Sequence, residues 1–336
     1  IEEEERSASV ISEKYLELIY GINTDSPINI FLLFTQTTDL DILVANGSIM
    51  VAITLSRNLH TPMYFFLCGL SLSETCATVV IIPRMLVDLV SESSIISLPE
   101  CATQMLCFLC LAANNCFIMA AMSYDRYTAI HNPLNYHMLM TGKICCQLMT
   151  ASLVTGFLIS LGIVLTAFNL PFCGSKIIHH FFCDISPVVL LACGYTFFHE
   201  MVIFVLSALV LVGSFILIMV SYVFIVSVVV KMPSAKGRYK AFSTCSSHLT
   251  VVCIHYGFAC SVYLKLKNSA SFHEDMLMAV TYTVLTPLLN SIVYSLRNRE
   301  MQTSLWKLIN RATNSLISLP QRINSKNTSE PFKMHS

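Results

Sequence analysis

Long apolar segments alternate with short polar connections along most of the chain, and each segment has about the length of a membrane-crossing helix. A helix needs roughly 20 apolar residues to cross the hydrocarbon core of a bilayer. Six segments meet this requirement, at about residues 62–89, 98–127, 144–168, 199–230, 241–264 and 276–296. The pattern therefore predicts an all-α membrane protein.

The first apolar segment is interrupted, unlike the others. Residues 28–34 and 44–55 are mostly apolar, whereas residues 35–41 between them are polar except for Leu40. Either the outer end of a first helix is short, or the residues before Val44 are not native. The chain also starts at Ile1 rather than at Met, which favours a fragment or an imperfect upstream sequence.

These patterns divide the chain into three regions. Residues 1–27 form an outer tail, and residues 28–309 form a seven-transmembrane helix bundle with an atypical first helix. The bundle ends in a short amphipathic eighth helix, because polar and apolar residues alternate over residues 299–310 with the spacing of a helix at a membrane surface. Residues 310–336 are polar, rich in Ser and Asn, and predicted to be disordered.

Composition supports the membrane interpretation. Hydrophobic residues make up 55% of the 336 residues and charged residues only 12%, which is too apolar for a water-soluble domain of this length. The net charge is zero, so the charge balance indicates no nucleic-acid partner. A lipid bilayer is the expected surrounding.

The basic residues predict the orientation of the bundle. Most lie in connections on one side, such as Arg57, Lys143 and residues 231–240, whereas the opposite loops hold few, such as Lys176 and Lys267. Basic residues in short loops favour the cytoplasmic side. The amino terminus is therefore expected outside the cell and the carboxyl terminus in the cytoplasm.

An Asp-Arg pair, Asp125 and Arg126, lies where one apolar segment ends. Charged residues are expensive to bury in lipid, so such a pair indicates a functional element at the membrane surface. The alternative is that the pair only anchors the helix end among the lipid headgroups.

Further motifs accompany this pair in a fixed order along residues 44–309. Together they resemble the odorant receptors, a branch of the rhodopsin-like G-protein-coupled receptors. The matching segments are LHTPMYFF at 59–66, MSYDRY at 122–127, LPFC at 170–173, HFFCD at 180–184, KAFSTCSSHL at 240–249, PLLN at 287–290 and YSLRN at 294–298.

The resemblance implies an odorant receptor of the plasma membrane that binds a small hydrophobic or volatile ligand in the outer half of the bundle. It also implies activation of a stimulatory heterotrimeric G protein and a rise in cyclic AMP, with no cofactor. The alternative is a receptor-like chain with impaired surface delivery or signalling because of its first helix. A transporter would show an internal repeat and an enzyme a catalytic set, and neither is visible in the sequence.

The resemblance also implies a ligand pocket between the third, fifth, sixth and seventh helices. Its expected lining is mainly apolar with a few hydroxyl groups, although any of these residues could instead be packing core. The expected residues are Met105, Phe108, Leu109, Ala112, Leu206, Ser207, Val210, Tyr256, Ala259, Cys260, Tyr263, Val280 and Thr283.

Signalling residues follow from the same resemblance. We expect Asp125 to hold Arg126 in an ion pair until outward movement of the sixth helix frees the guanidinium for a partner. Glu74 is expected either to hold a sodium ion or to act as a hydrogen-bonded structural residue. The residues implied for the switch and G-protein contact are Asp125, Arg126, Tyr127, Tyr222, Lys240, His248, Asn290 and Tyr294, with Asn46 and Glu74 in a polar core.

Four of the 14 cysteines fall at the predicted outer surface, where disulfides persist. Four cysteines permit three pairings, and the residues alone do not choose among them. The resemblance implies Cys101–Cys183 and Cys173–Cys193. His179, His180, Cys183 and Asp184 could also be interpreted as a metal site, but a disulfide at Cys183 removes the thiolate, so no metal is expected.

Four positions depart from the family pattern. Ser291 replaces a proline, His131 a cysteine, Glu74 an aspartate and His255 a phenylalanine. The first change is expected to affect the kink of the seventh helix, and the last to affect packing of the pocket or switch.

Overall fold

The helices of the bundle extend over most of the chain in the computed structural model, which describes residues 27–90, 95–173, 177–178, 180, 182–194, 197–263, 281–297 and 300–310. The long helices are α1 Pro27–Leu55, α2 Pro62–Val90, α3 Leu98–His131, α4 Gly142–Phe168, α5 Phe197–Lys231, α6 Ala235–Tyr263 and α7 Thr286–Arg297. Shorter elements are a 3-10 turn at Arg57–Leu59, one-turn helices at Tyr136–Leu139 and Ile185–Val189, and a π-helical turn at Thr281–Leu285. Nearly all of the two predicted tails lies outside the described residues.

Helices α2 to α6 are long and apolar enough to cross a membrane. The apolar part of α1, Leu40–Leu55, is shorter, and α7 is described over 12 residues after its π-helical turn. The all-α membrane fold expected from the hydrophobic pattern is thus confirmed.

The starts of several helices follow from local sequence. Pro62 opens α2, where its missing N–H leaves no helical hydrogen bond unmade. Ser97 caps α3 through a reciprocal pair of hydrogen bonds with Glu100. The Thr141 side chain accepts a hydrogen bond from the backbone N–H of Ile144 at the start of α4.

The polar run of the first helix was predicted to mean either a short outer end or non-native residues before Val44. The backbone of α1 is helical across residues 35–41, and its apolar part, Leu40–Leu55, is shorter than those of α2 to α6. Thr, Gln and Asp lower helix propensity only modestly, so a polar run need not break a helix that packs against others. The polar run therefore does not shorten the backbone of α1.

Helix α6 also starts before its predicted boundary, at Ala235 rather than near residue 241. Its first residues include the exposed Lys236 and Arg238. Lysine and arginine are good helix formers, but a hydrophobic pattern marks only the part of a helix that lies in lipid. The charged first turns of α6 therefore extend beyond that part.

Helix α3 is the centre of the bundle and packs mainly against α4, α5 and α2. Gly156 of α4 permits a close approach of α4 to α3. A Cβ atom at this position would lie 3.1 Å from the carbonyl oxygen of Cys110 and 3.2 Å from the backbone nitrogen of Asn114. The missing side chain thus lets the two backbones pack directly.

One disulfide joins the connection between α4 and α5 to α3, and a second closes a loop within that connection. The structure bonds Cys101 to Cys183 and Cys173 to Cys193, with Cα atoms 5.4 and 5.8 Å apart. These are the pairs that the family resemblance implies. We call this side the disulfide end, defined by Cys101–Cys183, and the opposite side the Arg126 end, defined by Arg126.

The predicted eighth helix is present as α8, residues 300–310. Met301 and Ser304 are buried, Leu305 and Leu308 are half-buried, and the residues between them are mostly exposed. The spacing of three to four residues gives the helix one packed face, as expected for an amphipathic helix. The Tyr64 hydroxyl of α2 donates a hydrogen bond to Glu300 Oε2 over 2.9 Å, which joins α8 to the bundle.

Candidate functional site

A cavity lies between α3, α4 and α5 and is completed by one residue each from α6 and the start of α7. It has about 420 Å³ of atom-free space, part of it open to its surroundings. Its walls are mainly aliphatic, with a few hydroxyl groups and one thiol. The lining residues are Leu109, Ala112, Ala113, Cys116, Ile159, Ser160, Ile163, Ser207, Val210, Leu211, Tyr263 and Tyr282.

The predicted pocket and this cavity overlap in part. Leu109, Ala112, Ser207, Val210 and Tyr263 were expected to line the pocket, and they line the cavity.

Other predicted pocket residues lie elsewhere in the bundle. Phe108 packs edge-on against Phe182 of the disulfide-bonded connection, with ring centroids 5.3 Å apart. The Tyr256 hydroxyl is 2.7 Å from Ser214 Oγ and joins α6 to α5. The predicted residues absent from the lining are Met105, Phe108, Leu206, Tyr256, Ala259, Cys260 and Thr283, while Val280 lies outside the described residues.

The contribution of α4 was not predicted. Ile159, Ser160 and Ile163 of this helix line the cavity. The sequence does indicate that this helix faces the interior, because Ser160 is a polar residue within an apolar segment. In the structure, Ser160 is only 1% exposed. A polar side chain in a membrane helix generally faces the protein interior.

A second group of predicted residues lies at the Arg126 end. Asp125 is buried, and its Oδ1 accepts a hydrogen bond of 2.7 Å from the Tyr136 hydroxyl, in the connection between α3 and α4. Burial, followed by the nearby Asp125 carboxylate, raises the pKa of Tyr136, so the hydroxyl keeps its proton and donates. The short connection is thereby tied to α3.

The expected Asp125–Arg126 ion pair is not formed, and this part of the prediction was wrong. Consecutive residues of a helix point about 100° apart and do not face each other. Asp125 therefore faces Tyr136, whereas an Nη2 atom of the half-buried Arg126 contacts Met63 Sδ of α2. The guanidinium is held by a neutral sulfur rather than by a carboxylate.

His248 joins three helices at the same end. Its Nδ1 lies 2.9 Å from the Tyr222 hydroxyl of α5, and its Nε2 lies 3.1 Å from the carbonyl oxygen of Met119 of α3. The carbonyl only accepts, so Nε2 carries the hydrogen and Nδ1 accepts from Tyr222. His248 was expected at a partner-contact surface, but it is 1% exposed and forms a helix–helix contact instead.

The other residues predicted to take part in the switch, Tyr294, Tyr127 and Lys240, do not share the surroundings of His248. Tyr294 of α7 is buried, with its hydroxyl 4.0 Å from Met122 Sδ of α3. Tyr127 is half-buried and packs against Phe224 of α5 with ring centroids 5.8 Å apart. The side chain of Lys240 lies outside the described part of the chain.

A buried polar group links α7 to α1 and α2. Asn290 Nδ2 donates to Glu74 Oε1 over 2.5 Å. Ser291 Oγ donates to Asn46 Oδ1 over 2.7 Å and also lies 3.0 Å from the carbonyl oxygen of Pro287. Ser291 therefore adds a contact with α1 that a proline at this position could not make, and α7 is helical from Thr286 to Arg297.

The residues considered as a metal site are used in other contacts. Cys183 is disulfide-bonded, and Asp184 Oδ1 accepts from the backbone N–H of Ile185. Burial lowers the pKa of His180, which contacts the backbone of Phe182. His179 lies outside the described residues, and no cluster of three ligating side chains occurs within them.

Comparison with known proteins gives consistent matches over most of the chain. A family profile for olfactory receptors matches residues 37–312. Human olfactory receptor 10Z1 is 54% identical over 263 residues, which cover 78% of this chain and 84% of that receptor. Human olfactory receptor 10K1 is 49% identical over 280 residues, covering 83% and 88%. Mouse olfactory receptor 10J5 is 48% identical over 287 residues, covering 85% and 92%.

Proposed function

The chain belongs to the olfactory receptor family, and from this premise we propose that it binds a small hydrophobic or volatile molecule in the cavity between α3, α4 and α5. Binding would activate a stimulatory heterotrimeric G protein at the Arg126 end and raise cyclic AMP. The chain is a multi-pass membrane receptor rather than an enzyme. In the proposed orientation, the disulfide end is outside the plasma membrane and the Arg126 end is in the cytoplasm.

The observation that carries this proposal is that α3 contributes both to the cavity and to the contact among Met119, His248 and Tyr222. Leu109, Ala112 and Cys116 line the cavity, and Met119 contacts His248 about one turn further along the same helix. A ligand that shifts α3 against α5 or α6 would therefore strain the Met119–His248–Tyr222 contact. Coupling between two sites requires such an element with two arrangements.

The contacts at the Arg126 end suggest how the switch works. Asp125 is held by Tyr136, while Tyr222 and His248 tie α5 and α6 to α3. Each of these contacts joins two segments of the chain. Each would therefore favour a closed arrangement, in which α6 packs against α3. Movement of α6 away from α3 would break the His248 contact and open a space beside Arg126 for the G protein.

Filling the cavity is expected to weaken the response to ligand. In Ala112→Phe, a phenyl ring would occupy space that the ligand needs, and the concentration for half-maximal cyclic AMP should rise at least about tenfold, equivalent to about 1.4 kcal/mol. The measurement is a cyclic AMP reporter assay with an activating odorant from a screened panel.

The matched control for this variant is Val154→Phe, which adds a phenyl ring at a side chain of α4 that is 50% exposed. The control should respond as the unaltered chain does, and both variants should reach the cell surface. A normal response of Ala112→Phe to every activating odorant would contradict the proposed cavity.

Removing one hydroxyl at the Arg126 end is expected to raise basal signalling. Tyr136→Phe eliminates the hydrogen bond to Asp125, and loss of about 1 kcal/mol from the closed arrangement would raise the active fraction about fivefold. Basal cyclic AMP per receptor at the surface is the measurement. Tyr124→Phe is the control, because Tyr124 is 41% exposed and precedes Asp125 directly. Equal basal signalling in the two variants would argue against a closing role for Tyr136.

The alternative of impaired delivery or signalling is not favoured. It depended on a defective first helix, whereas α1 is continuous over Pro27–Leu55. Helix α1 also contacts α2 and α7, and Asn46 takes part in the polar group through Ser291. A bundle with this packing supports a receptor that reaches the membrane.

A further inference from the structure

His255 of α6 lies behind the cavity and contacts two of the residues that line it. Its Nε2 is 3.4 Å from Cys116 Sγ of α3 and 3.5 Å from the Tyr282 hydroxyl at the start of α7. The imidazole is 2% exposed and packs edge-on against Tyr282, with ring centroids 5.5 Å apart. One side chain thus holds polar groups from α3 and α7 at the cavity wall.

The hydrogen bonds of this group are incomplete. A neutral imidazole has one donor and one acceptor nitrogen, and burial beside uncharged Cys116, Tyr256 and Tyr282 favours the neutral ring. Nε2 can serve as donor or acceptor, and Nδ1 has no hydrogen-bond partner among the described residues. Buried polar atoms are usually paired, so this group is one hydrogen bond short among the described residues.

Either tautomer of His255 leaves Tyr282 able to bind a ligand. If Nε2 accepts from the Tyr282 hydroxyl, the oxygen of that hydroxyl keeps its lone pairs for a ligand donor. If Nε2 donates to the tyrosine oxygen, the phenolic O–H remains for a ligand acceptor. An alcohol can satisfy both cases, and a carbonyl group satisfies the second.

The rest of the lining excludes charged ligands. The described lining residues carry no formal charge, and most are aliphatic. A carboxylate or ammonium group in this cavity would be buried without an opposite charge, which costs far more than burying a hydroxyl that is hydrogen-bonded.

We propose that His255, acting through Tyr282 and Cys116, makes this wall a hydrogen-bonding subsite that selects small uncharged ligands with one terminal oxygen. Such ligands would bind more tightly than hydrocarbons or carboxylates of equal length. His255 is a positioning residue here, because Tyr282 and Cys116 line the cavity and His255 does not. The inference rests on the proposed function in that it places the ligand in the same cavity.

The test measures binding without a G protein. The full chain in lipid nanodiscs is unfolded by heat with 1-octanol, octanal, octane or octanoate, and with the six- and ten-carbon members of each series. The alcohol should stabilise the unaltered chain at concentrations about tenfold lower than the hydrocarbon, and the aldehyde should do so only if Nε2 donates to Tyr282. One hydrogen bond of about 1 to 1.5 kcal/mol corresponds to that ratio. The carboxylate should give no shift.

Two variants alter the subsite, and one serves as control. In Tyr282→Phe, which lacks the hydroxyl that meets the ligand, the preference for alcohol over hydrocarbon should fall to within about twofold. In His255→Phe, which keeps the hydroxyl but releases it from the imidazole, the preference should fall by a smaller factor. His137→Phe, the same substitution at an exposed histidine in the connection between α3 and α4, should keep the full preference. Partition of each compound into lipid is the same for all proteins, so comparing variants cancels it. If one subsite variant does not fold, the other still supplies the comparison.

Several results would overturn the assignment. These are equal stabilisation by octane and octanol, an unchanged preference in the folded subsite variants, a shift with octanoate equal to that with octanol, or no shift with any compound. The proposed function is judged separately by cyclic AMP. If a hydrocarbon raised cyclic AMP in cells as strongly as its alcohol, the result would contradict the proposed subsite but not the proposed receptor function.

Discussion

Arg126→Ala is expected to abolish the odorant-driven rise in cyclic AMP while leaving delivery to the cell surface intact. Arg126 is half-buried at the Arg126 end, and its guanidinium contacts Met63 Sδ instead of a carboxylate. Removing one partner from a buried ion pair costs about 3 to 5 kcal/mol, and a contact with an uncharged sulfur has no such pair to break. In the proposed mechanism, Arg126 therefore reaches a G protein without first breaking an ion pair.

The surroundings of Arg126 explain why its loss should be severe. Its charge lies within electrostatic range of Tyr222, His248 and Tyr294, which belong to α5, α6 and α7. A single guanidinium thus lies among the helices that separate in the proposed activation step. In the proposed mechanism, the five N–H donors of the Arg126 guanidinium bind acceptors of the G protein once α6 has moved.

The experiment compares reporter signal with surface staining for three variants. Arg126→Ala should give no cyclic AMP response, and Arg126→Lys a partial one, because an ammonium group lacks the planar donor arrangement of a guanidinium. Arg57→Ala, at an exposed arginine in the turn between α1 and α2, should signal normally. A response of Arg126→Ala equal to that of Arg57→Ala would contradict the proposed role.

The hydrophobic pattern was sufficient to predict helices α2 to α6, because crossing a bilayer imposes a length and an apolar composition that few other elements share. Helix α4 illustrates this, since its predicted segment of 144–168 differs by two residues from Gly142–Phe168. Start residues were also predictable where the chemistry is local, as at Pro62. The predicted start of α6 was too late, because the hydrophobic pattern marks only the part of the helix in lipid and the helix begins before that part.

The partners of individual side chains could not be predicted in the same way. His248 lies in a motif that resembles a contact surface, yet the rotation of α6 buries it against Tyr222 and Met119. The sequence places Asp125 beside Arg126, but neighbouring positions on a helix diverge, so Tyr136 from a different segment became the partner. Ser160 lines the cavity because Gly156 lets α4 pack close to α3. This packing depends on two helices, so the sequence of one segment does not predict it.

Loss of the disulfide between Cys101 and Cys183 is expected to remove most of the receptor from the cell surface. The bond closes a loop between residues 82 positions apart, whereas Cys173–Cys193 spans 20. In the chain-entropy model, these closures contribute about 4.5 and about 3.3 kcal/mol. Both values are upper bounds, because membrane helices persist in the unfolded receptor and already restrict the chain.

The loss should be greater than loop length alone implies, because Cys101–Cys183 also holds a buried segment over α3. The backbone N–H of Cys183 donates to Gln104 Oε1 over 3.1 Å, and Phe182 packs against Phe108. Cys101→Ser would release these contacts together with the bond, at the disulfide end of the bundle.

Surface staining and cyclic AMP per surface receptor measure these two effects separately. We expect Cys101→Ser to lose most surface receptor, Cys173→Ser to lose less, and Cys253→Ser, at an unpaired exposed cysteine of α6, to lose none. Equal losses in Cys101→Ser and Cys173→Ser would mean that the contacts of Phe182 and Cys183 with α3 add nothing beyond loop closure. Because Cys173→Ser leaves Cys183 bonded to α3, the receptor that still reaches the surface in that variant should keep its normal response to odorant.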